Sequence, residues 1–200
     1  CSIAFEPYFF KNYGKYFSAY SIRKEDGNIE TTQEGNDHYE YFVMDWYQLP
    51  KLLDRPCWTE PYSDYTVGDV HSPEKIISYC KPLKDDQGKF IGTIAVDISL
   101  NWLSNTITAV KPYPNSYSIM IGQSGTFFVH PDSTKLFYHS IFTDTMEKPD
   151  TAISHLGHDM QAGKEGMHQM NIDGKDSYVF FKPLGTTGWS VAIVCTETDI

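Results

Sequence analysis

The sequence predicts an α+β fold of two modules in series, each an antiparallel sheet flanked by helices, and three observations support this. Short runs rich in aromatic and β-branched residues, typical of strands, recur along the chain between turns that contain glycine. An amphipathic helix pattern covers residues 100–110. Pro112 and Pro114 break the chain directly afterwards, so we expect a first module of residues 1–110 and a second of residues 111–200.

The first module is expected to be built mainly of strands. Its two strongest strand patterns cover residues 75–83 and 89–98, joined by a turn that contains glycine. Weaker strand patterns cover residues 2–5, 16–22 and 58–63.

The connecting segments of the first module carry signals of their own. Residues 23–37 are polar without periodicity, which predicts a loop. Asp45 is suited to cap a short helix over residues 46–53, and Ser99 is suited to cap the helix over residues 100–110.

The second module repeats this mixture of strands and helices. A helical region is predicted over residues 140–160. Strands are predicted over residues 116–121, 126–130, 166–172, 177–184 and 189–196.

The composition is that of a folded, acidic chain. Of its 200 residues, 40% are hydrophobic and 15% aromatic, which is enough for a core, and the formal net charge is −10. So negative a chain, without a basic stripe, is not expected to bind nucleic acid. No segment is apolar enough to cross a membrane and no signal peptide is visible, while the abrupt start at Cys1 indicates a piece of a longer protein.

Residues 39–62 concentrate large rings beside carboxylates. Two of the four tryptophans and four of the fourteen tyrosines fall in this stretch. The rings either form a hydrophobic core, because aromatic side chains bury the most area, or line a cavity in which a few polar groups orient a small molecule. The cavity gains weight because tryptophan and tyrosine each carry a polar group that a dry core would have to satisfy.

Asp97 stands near the end of a very apolar strand pattern. A carboxylate in such a place needs a partner or must face a cavity. The alternative is that Asp97 caps the following helix, a role for which Ser99 is also available. Together with Glu60, Asp97 would also supply the two carboxylates of a hydrolase, although the sequence does not fix their separation.

Signals for metal binding and nucleophilic catalysis are weak. His155, His158 and Asp159 would form a metal half-site on a helix, but a solvated helix face explains them better, and we predict neither a metal nor a cofactor. His130 and Asp132 are interpreted as a turn that these two side chains stabilise.

The aromatic stretch and the strands around it resemble a known family. The matching residues of the first half are Tyr41, Phe42, Asp45, Trp46, Tyr47, Trp58, Pro61, Tyr62, Pro82, Gly92, Asp97 and Trp102. Those of the second half are Gly125, His130, Pro131, Asp132, Gly166, Gly174, Tyr178, Gly188 and Trp189. Together they resemble double Cache (dCache) sensor domains, with the membrane-distal module in the first half and the membrane-proximal module in the second.

The resemblance implies two tandem PAS-like Cache modules on the extracytoplasmic (periplasmic) side of a bacterial transmembrane receptor. Such domains are not enzymes; they sense small molecules, most often in the distal module. The implied outputs are histidine kinases of two-component systems, chemoreceptors, cyclic-dinucleotide enzymes and sigma-regulating serine phosphatases, and the run that begins at His130 favours the last. The family's long N-terminal helix, through which a homodimer would form, is missing here. Cys195 and the residues after it are expected to lead into a membrane helix.

One subgroup of the family binds amino acids and related amines through a defined pattern of residues. Its tyrosines, Trp-Tyr pair and aspartate can be laid onto Tyr39, Trp46, Tyr47, Tyr62 and Asp97. Met44 stands where the subgroup has the arginine that grips the ligand carboxylate, and a thioether cannot do so. The aspartate that grips the amine is kept.

We therefore predict a small amine or cationic heterocycle as the ligand. The predicted binding residues are Tyr39, Trp46, Tyr47, Trp58, Tyr62 and Asp97. Two rival classes stay open: a secreted hydrolase that uses Glu60 and Asp97, and a carbohydrate-binding module in which ring faces stack on sugars.

Cys57 and Cys80 lie beside strands that are candidates for neighbours, with 22 residues between them. In an exported protein, a disulfide between them would stabilise the fold by roughly 3 kcal/mol. Two small buried thiols are the alternative. A Cα separation much beyond about 7 Å would exclude the bridge.

Overall fold

The computed structural model describes residues 1–24, 26–63, 75–143 and 151–200. The chain divides into two compact units, Cys1–Ser99 and Leu100–Ile200. Each unit has its own antiparallel sheet with helical segments beside it, which confirms the predicted α+β fold of two modules.

The first unit consists of a seven-stranded antiparallel sheet and, within the described residues, one α-helix, α1 (Asp45–Leu53). Its strands are β1 (Ser2–Phe5), β2 (Ser18–Arg23), β3 (Ile29–Thr32), β4 (Cys57–Trp58), β5 (Tyr62–Ser63), β6 (Lys75–Lys84) and β7 (Phe90–Ser99). Their order is β3-β2-β1-β7-β6-β4, and β5 also pairs with β6. Helix α1 packs against β6 and β7, the long central strands.

Alternation along β6 and β7 decides which side chains enter the core of the first unit. Ala95 on β7 and Cys80 on β6 are register partners, and both are buried. The adjacent Val96 and Tyr79 are exposed. Since successive strand residues point to opposite faces, the sheet has one inner face under the helix and one outer face towards solvent.

Tyr41 ties the segment before α1 to the sheet. It is fully buried in a single 3₁₀ turn just ahead of the helix. Its hydroxyl donates a hydrogen bond to the carbonyl oxygen of Phe5 at 2.8 Å and accepts one from the amide of Phe17 at 3.2 Å. These bonds attach the segment to the end of β1 and to the residue before β2.

The second unit is a five-stranded antiparallel sheet with helices packed on it. Its elements are α2 (Leu100–Thr108), β8 (Tyr117–Ile121), β9 (Phe127–Val129), α3 (Thr151–Gln161), β10 (Gly166–Ile172), β11 (Lys175–Pro183) and β12 (Ser190–Thr196). The strand order is β10-β11-β12-β8-β9. Helix α3 packs on β11 and β12, and α2 packs on β8 and β9. In the described ranges, no helix combines the length and apolarity needed to span a bilayer.

Two local predictions for the first unit differ from the structure. Residues Ile29–Thr32 form β3 inside the predicted loop; all four side chains are exposed, so the strand has no apolar pattern and depends on pairing with β2. Helix α1 begins at Asp45, and its N-cap is Met44 without a side-chain capping bond. The carboxylate of Asp45 therefore lies in the first turn and does not cap the helix. Its negative charge interacts favourably there with the positive end of the helix dipole.

The division between the units falls before α2, whereas the predicted boundary at residues 111–114 follows it. Helix α2 joins the second unit because it contacts β8 and β9. The predicted helical region of residues 140–160 contains α3, which begins at Thr151. Residues 144–150 of that prediction lie outside the described residues.

Replacing Tyr41 by Phe keeps the ring and removes the hydrogen bonds of the hydroxyl. Because the Phe5 carbonyl and the Phe17 amide each lose a partner, we expect the free energy of unfolding to fall by about 1–2 kcal/mol. Urea denaturation followed by circular dichroism measures this. Tyr13→Phe, at an exposed tyrosine, is the control and should unfold like the wild type. Equal stability of the two variants would contradict the role given to Tyr41.

Candidate ligand-binding site

A cavity of about 220 Å³ lies in the first unit between the inner face of the sheet and the segment that leads into α1. From the sheet side it is lined by Ser2, Tyr20, Tyr62, Ile76, Ala95 and Asp97. From the covering segment it is lined by Glu34, Tyr39, Val43, Met44, Asp45 and Trp46. It is therefore a space within one unit, with a floor of strands and a roof made by the aromatic stretch.

Strand register explains why the floor has room for a ligand. Ser2 on β1 is the register partner of both Ala95 on β7 and Tyr20 on β2, so the three side chains share the inner face. Ser2 and Ala95 are small, and they stand in the middle of the sheet. The space above them therefore stays open, and larger side chains border it.

Asp97 projects from the same face of β7 as Ala95, two residues earlier, and its side chain is only 17% exposed. Its Oδ1 atom accepts a hydrogen bond from the Ser78 hydroxyl at 2.5 Å. Since Ser78 has a single hydroxyl proton, the 2.5 Å contact between Tyr62 Oη and Ser78 Oγ is a bond that Tyr62 donates. A chain of two hydrogen bonds, Tyr62 to Ser78 to Asp97, thus fixes the carboxylate.

The second carboxylate oxygen of Asp97, Oδ2, lies 3.8 Å from the backbone nitrogen of Cys1, the first residue of the sequence. Burial raises the pKa of the Tyr62 phenol far above its usual range, and the negative charge of Asp97 raises it further. Tyr62 therefore stays protonated and serves as a permanent donor.

The roof supplies rings. Trp46, in the first turn of α1, is 5% exposed, and its indole Nε1 donates a hydrogen bond to Tyr39 Oη at 3.3 Å. This bond satisfies the polar edge of the indole and leaves the ring available to the cavity. Met44, the N-cap of α1, lines the same wall.

Every charged side chain among the described lining residues is acidic. Glu34, Asp45 and Asp97 contribute carboxylates, and Glu34 accepts a hydrogen bond from the Ser2 hydroxyl at 2.7 Å. Among the described residues that line the cavity there is no lysine, arginine or histidine. Arg23 and Arg55 are exposed and belong to other parts of the unit.

Four of the six predicted binding residues, Tyr39, Trp46, Tyr62 and Asp97, line this one cavity. Tyr47 does not: it is fully buried in the core, where its hydroxyl donates to Glu6 at 2.9 Å. Trp58 does not either: on β4 it is the register partner of the exposed Tyr79, and the two rings lie 5.1 Å apart.

Sequence reasoning missed the polar lining residues Ser2, Tyr20 and Glu34. Glu34 stands in the segment predicted as a loop, and nothing in the sequence marks it as facing a cavity. Ser2 and Tyr20 are placed there by the pairing of β1 with β2, which the strand alternation of each indicates only once the register is known.

The other candidate catalytic and metal-binding residues named from the sequence do not line this cavity. Glu60 is exposed and does not line the cavity that contains Asp97. On α3, Asp159 accepts hydrogen bonds from Lys164 and His168, and no metal-binding group of three side chains occurs within the described residues. The His130 Nδ1 atom accepts a bond from the Asp132 amide at 3.0 Å, which confirms the predicted turn.

Fold and cavity are those of a small-molecule-binding module. The profile of the family described as "Methyl-accepting chemotaxis protein-like, first PDC sensor domain" matches residues 1–105. The chain belongs to this family of sensor domains, and the resemblance to double Cache sensors is confirmed.

Two similar proteins are longer than this chain. The methyl-accepting chemotaxis protein TlpB of Bacillus subtilis (strain 168) is 28% identical over 189 residues, which is 88% of this chain and 25% of TlpB. This chain thus spans about a quarter of that relative's length. The extracellular domain of the putative histidine kinase mmHK1S-Z3 superposes with a TM-score of 0.78 at 22% identity, over 99% of this chain and 72% of that one.

A second similar structure holds a ligand. The ligand-binding domain of the Pseudomonas fluorescens chemoreceptor CtaA, in complex with L-serine, superposes with a TM-score of 0.61 at 22% identity. The match covers 90% of this chain and 73% of that chain.

The raised pKa of Tyr62 predicts a loss of stability in alkali. The unfolded tyrosine loses its proton near pH ~10, while the folded one keeps it to higher pH. The free energy of unfolding therefore falls as the pH rises above about 10. Tyr62→Phe should make this fall shallower between about pH 9.5 and 11, in urea titrations at each pH.

The matched control is Tyr13→Phe, at an exposed tyrosine, which should follow the wild-type slope. Tyr47 also has a pKa raised by burial and by its bond to Glu6, so a part of the slope remains in Tyr62→Phe. Parallel curves for the wild type and Tyr62→Phe would show that Tyr62 is not held protonated by the fold.

Proposed function

We propose that this chain is the extracytoplasmic sensing domain of a bacterial transmembrane receptor, and that its first unit binds a small amine or cationic heterocycle. The observation that carries the proposal is the cavity, which combines a fixed carboxylate, Asp97, with the rings of Tyr39, Trp46 and Tyr62 and has no cationic side chain among its described lining residues. Trp58 and Tyr47, which the sequence also suggested, are not part of this proposal.

A cationic ligand would interact favourably with both features of the wall, the carboxylate and the aromatic rings. A buried carboxylate is costly unless it is paired, and a charge-assisted bond from an ammonium group to Asp97 supplies the pair. Ring faces attract a desolvated cation by roughly 0.5–2 kcal/mol each. A cavity of about 220 Å³ is smaller than the roughly 300–1,000 Å³ of drug-sized sites, so the ligand is small.

An α-amino acid fits this wall less well than the corresponding amine. Its carboxylate would need a donor such as arginine, and Met44 occupies the position where the resemblance places that arginine. Glu34 and Asp45 would repel the carboxylate further. CtaA binds L-serine; for the present chain we propose a ligand that keeps the amine and lacks the acid.

The placement of the domain is proposed from its relatives. TlpB is a methyl-accepting chemotaxis protein, and the similar structure from mmHK1S-Z3 is the extracellular domain of a putative histidine kinase. We propose a chemoreceptor output in preference to the serine phosphatase favoured by the sequence. Signalling then requires that the ligand bind two arrangements of the receptor with different affinity.

Matched pairs of ligands test the proposed class directly. We expect histamine, tyramine or ethanolamine to bind more tightly than histidine, tyrosine or serine, because each pair differs chiefly by a carboxylate. Asp97→Asn should weaken amine binding at least about tenfold, since a bond to a charged group is lost. Isothermal titration of the purified domain measures both, and Glu60→Gln, outside the cavity, is the control.

The contribution of the cavity's rings to amine binding can be measured against a matched control in the same unit. Trp46→Ala should weaken the amine by about 3–30-fold, whereas Trp58→Ala, whose ring packs against Tyr79 away from the cavity, should bind like the wild type. Binding of only uncharged or anionic compounds, sugars included, or full binding by Asp97→Asn, would refute the cationic ligand.

Met44→Arg should restore recognition of an acid group. The guanidinium at the start of α1 would face the cavity and offer paired donors to a carboxylate. We expect this variant to gain affinity for serine or histidine over the wild type and to lose affinity for the matching amine by charge repulsion. Titration of Met44→Arg and of Met44→Leu, the size-matched control, decides it; equal selectivity in the two variants would contradict the position given to Met44.

A further inference from the structure

Two cysteines face each other at one edge of the first sheet. Cys57 on β4 and Cys80 on β6 are register partners in antiparallel strands, both are buried, and both are free thiols. Side chains that are directly opposite in such a pair project to the same face. They pack in the same core cluster as Trp46, which lines the cavity.

Backbone pairing gives the distance between them. The Thr59 amide donates to the Ser78 carbonyl at 3.0 Å, so Thr59 and Ser78 are a hydrogen-bonded pair. Pair types alternate along antiparallel strands, and Cys57 with Cys80, two positions on, is again hydrogen-bonded, with Cα atoms about 5.5 Å apart. That separation lies inside the range of roughly 4.4–6.8 Å found for disulfides.

The Cβ atoms need a small further approach. Opposed Cβ atoms stand about 4.5–5.5 Å apart in sheets, while a disulfide holds them at about 3.8 Å. A hydrogen-bonded pair stands towards the upper end of that range, so closing the bond draws β4 towards β6 by about 1–2 Å. Strand β4 is the terminal strand of its sheet order and consists of Cys57–Trp58 alone, so it has few bonds to resist the shift.

Movement of β4 reaches the cavity through Ser78. The Ser78 amide donates to the Thr59 hydroxyl at 3.0 Å, next to β4. The Ser78 hydroxyl holds Asp97 and accepts from Tyr62. A change in the spacing of β4 and β6 thus acts on the residue that positions the cavity's carboxylate.

We propose that Cys57 and Cys80 form a reversible disulfide site, through which the thiol–disulfide state of the surroundings adjusts the ligand cavity. The inference rests on the proposed extracytoplasmic placement, where disulfides form and persist. The co-reactant is a disulfide carrier, either a small molecule or a dithiol protein.

The exchange balances in two steps. The Cys57 thiolate attacks a carrier sulfur; one carrier thiolate leaves, and a mixed disulfide forms. The Cys80 thiolate then attacks the Cys57 sulfur, and the second carrier thiolate leaves. The two cysteines lose two electrons to the carrier, and their two protons end on the carrier thiols.

Burial sets the order and the speed of these steps. Cys57 is 9% exposed and Cys80 fully buried, so Cys57 meets the carrier first. Burial raises the pKa of both thiols, and that of Cys80 further through the charges of Cys57 and Asp97. Because these raised pKa values keep both thiols protonated in the closed fold, exchange proceeds when β4 opens.

Intact-mass analysis tests the bond without any ligand. The full chain carrying Cys1→Ser and Cys195→Ser is equilibrated in glutathione buffers, then unfolded and alkylated with iodoacetamide. We expect loss of two hydrogens and no alkylation in oxidised buffer, and two alkyl groups after reduction. Addition of Cys57→Ser to this background is the control and must not give the closed form. Two alkylated thiols in oxidised buffer, also after refolding there, would overturn the proposal.

Hydrogen exchange tests the coupling, also without a ligand. On oxidation we expect at least about tenfold slower amide exchange in peptides that contain Thr59 and Ser78, with a change in the peptide of Trp46. The Cys57→Ser background should not respond to the buffer. A closed disulfide with unchanged exchange at Ser78 and Trp46 would overturn the coupling. Failure of every amine to bind would count against the proposed function alone, because neither readout uses a ligand.

Discussion

The first unit depends on one constraint: β7 carries a carboxylate on the face that the sheet must bury. The strand period of two assigns Asp97 to the same face as Ala95, and that face lies under α1. A buried carboxylate without partners is costly, so the fold must supply both donors and space. Ser78 and Tyr62 supply the donors, and the small side chains of Ser2 and Ala95 supply the space.

The roof follows from the same requirement. A regular helix packed flat on the sheet would close the space above Asp97, but here the chain enters α1 through an irregular segment. Tyr41 anchors that segment at the ends of β1 and β2, and Trp46 is held through Tyr39. The polar groups of the aromatic residues are thus used for tertiary bonds, and this is why tyrosine and tryptophan replace aliphatic residues in the stretch.

Much of this could be predicted from the sequence because it depends on local pattern. The strands β6 and β7, the helix after Ser99 and the importance of Asp97 follow from periodicity and from the cost of burying charge. What could not be predicted depends on register. Trp58 and Tyr62 are both aromatic residues in one segment, but pairing with β6 puts Tyr62 at the cavity and Trp58 beside the exposed Tyr79. Since both residues are aromatic, the sequence does not separate them, and only their register with β6 does.

Strand β3 is a second element that the sequence could not predict. Its four residues are exposed and carry no apolar alternation, so the sequence offers no local signal. The strand forms because β2 has an unpaired edge on that side, and Tyr20 and Thr32 become register partners. Glu34 follows two residues later and reaches the cavity wall. A residue of the site is thereby positioned by a strand that only tertiary pairing creates.

For the proposed cationic ligand, the start of α1 is the critical part of the cavity wall, because two electrostatic effects oppose each other there. A helix N-terminus presents free amide donors and a partial positive charge, which favours anions by about 0.3–1 kcal/mol. By itself it would attract a ligand carboxylate. Asp45 lies in the first turn and lines the cavity, so its full negative charge opposes the partial positive charge of the helix N-terminus. With Glu34 and Asp97 on the same wall, the described lining residues carry a negative sum even at the helix end, which favours the ammonium group of the ligand we propose over an acid group.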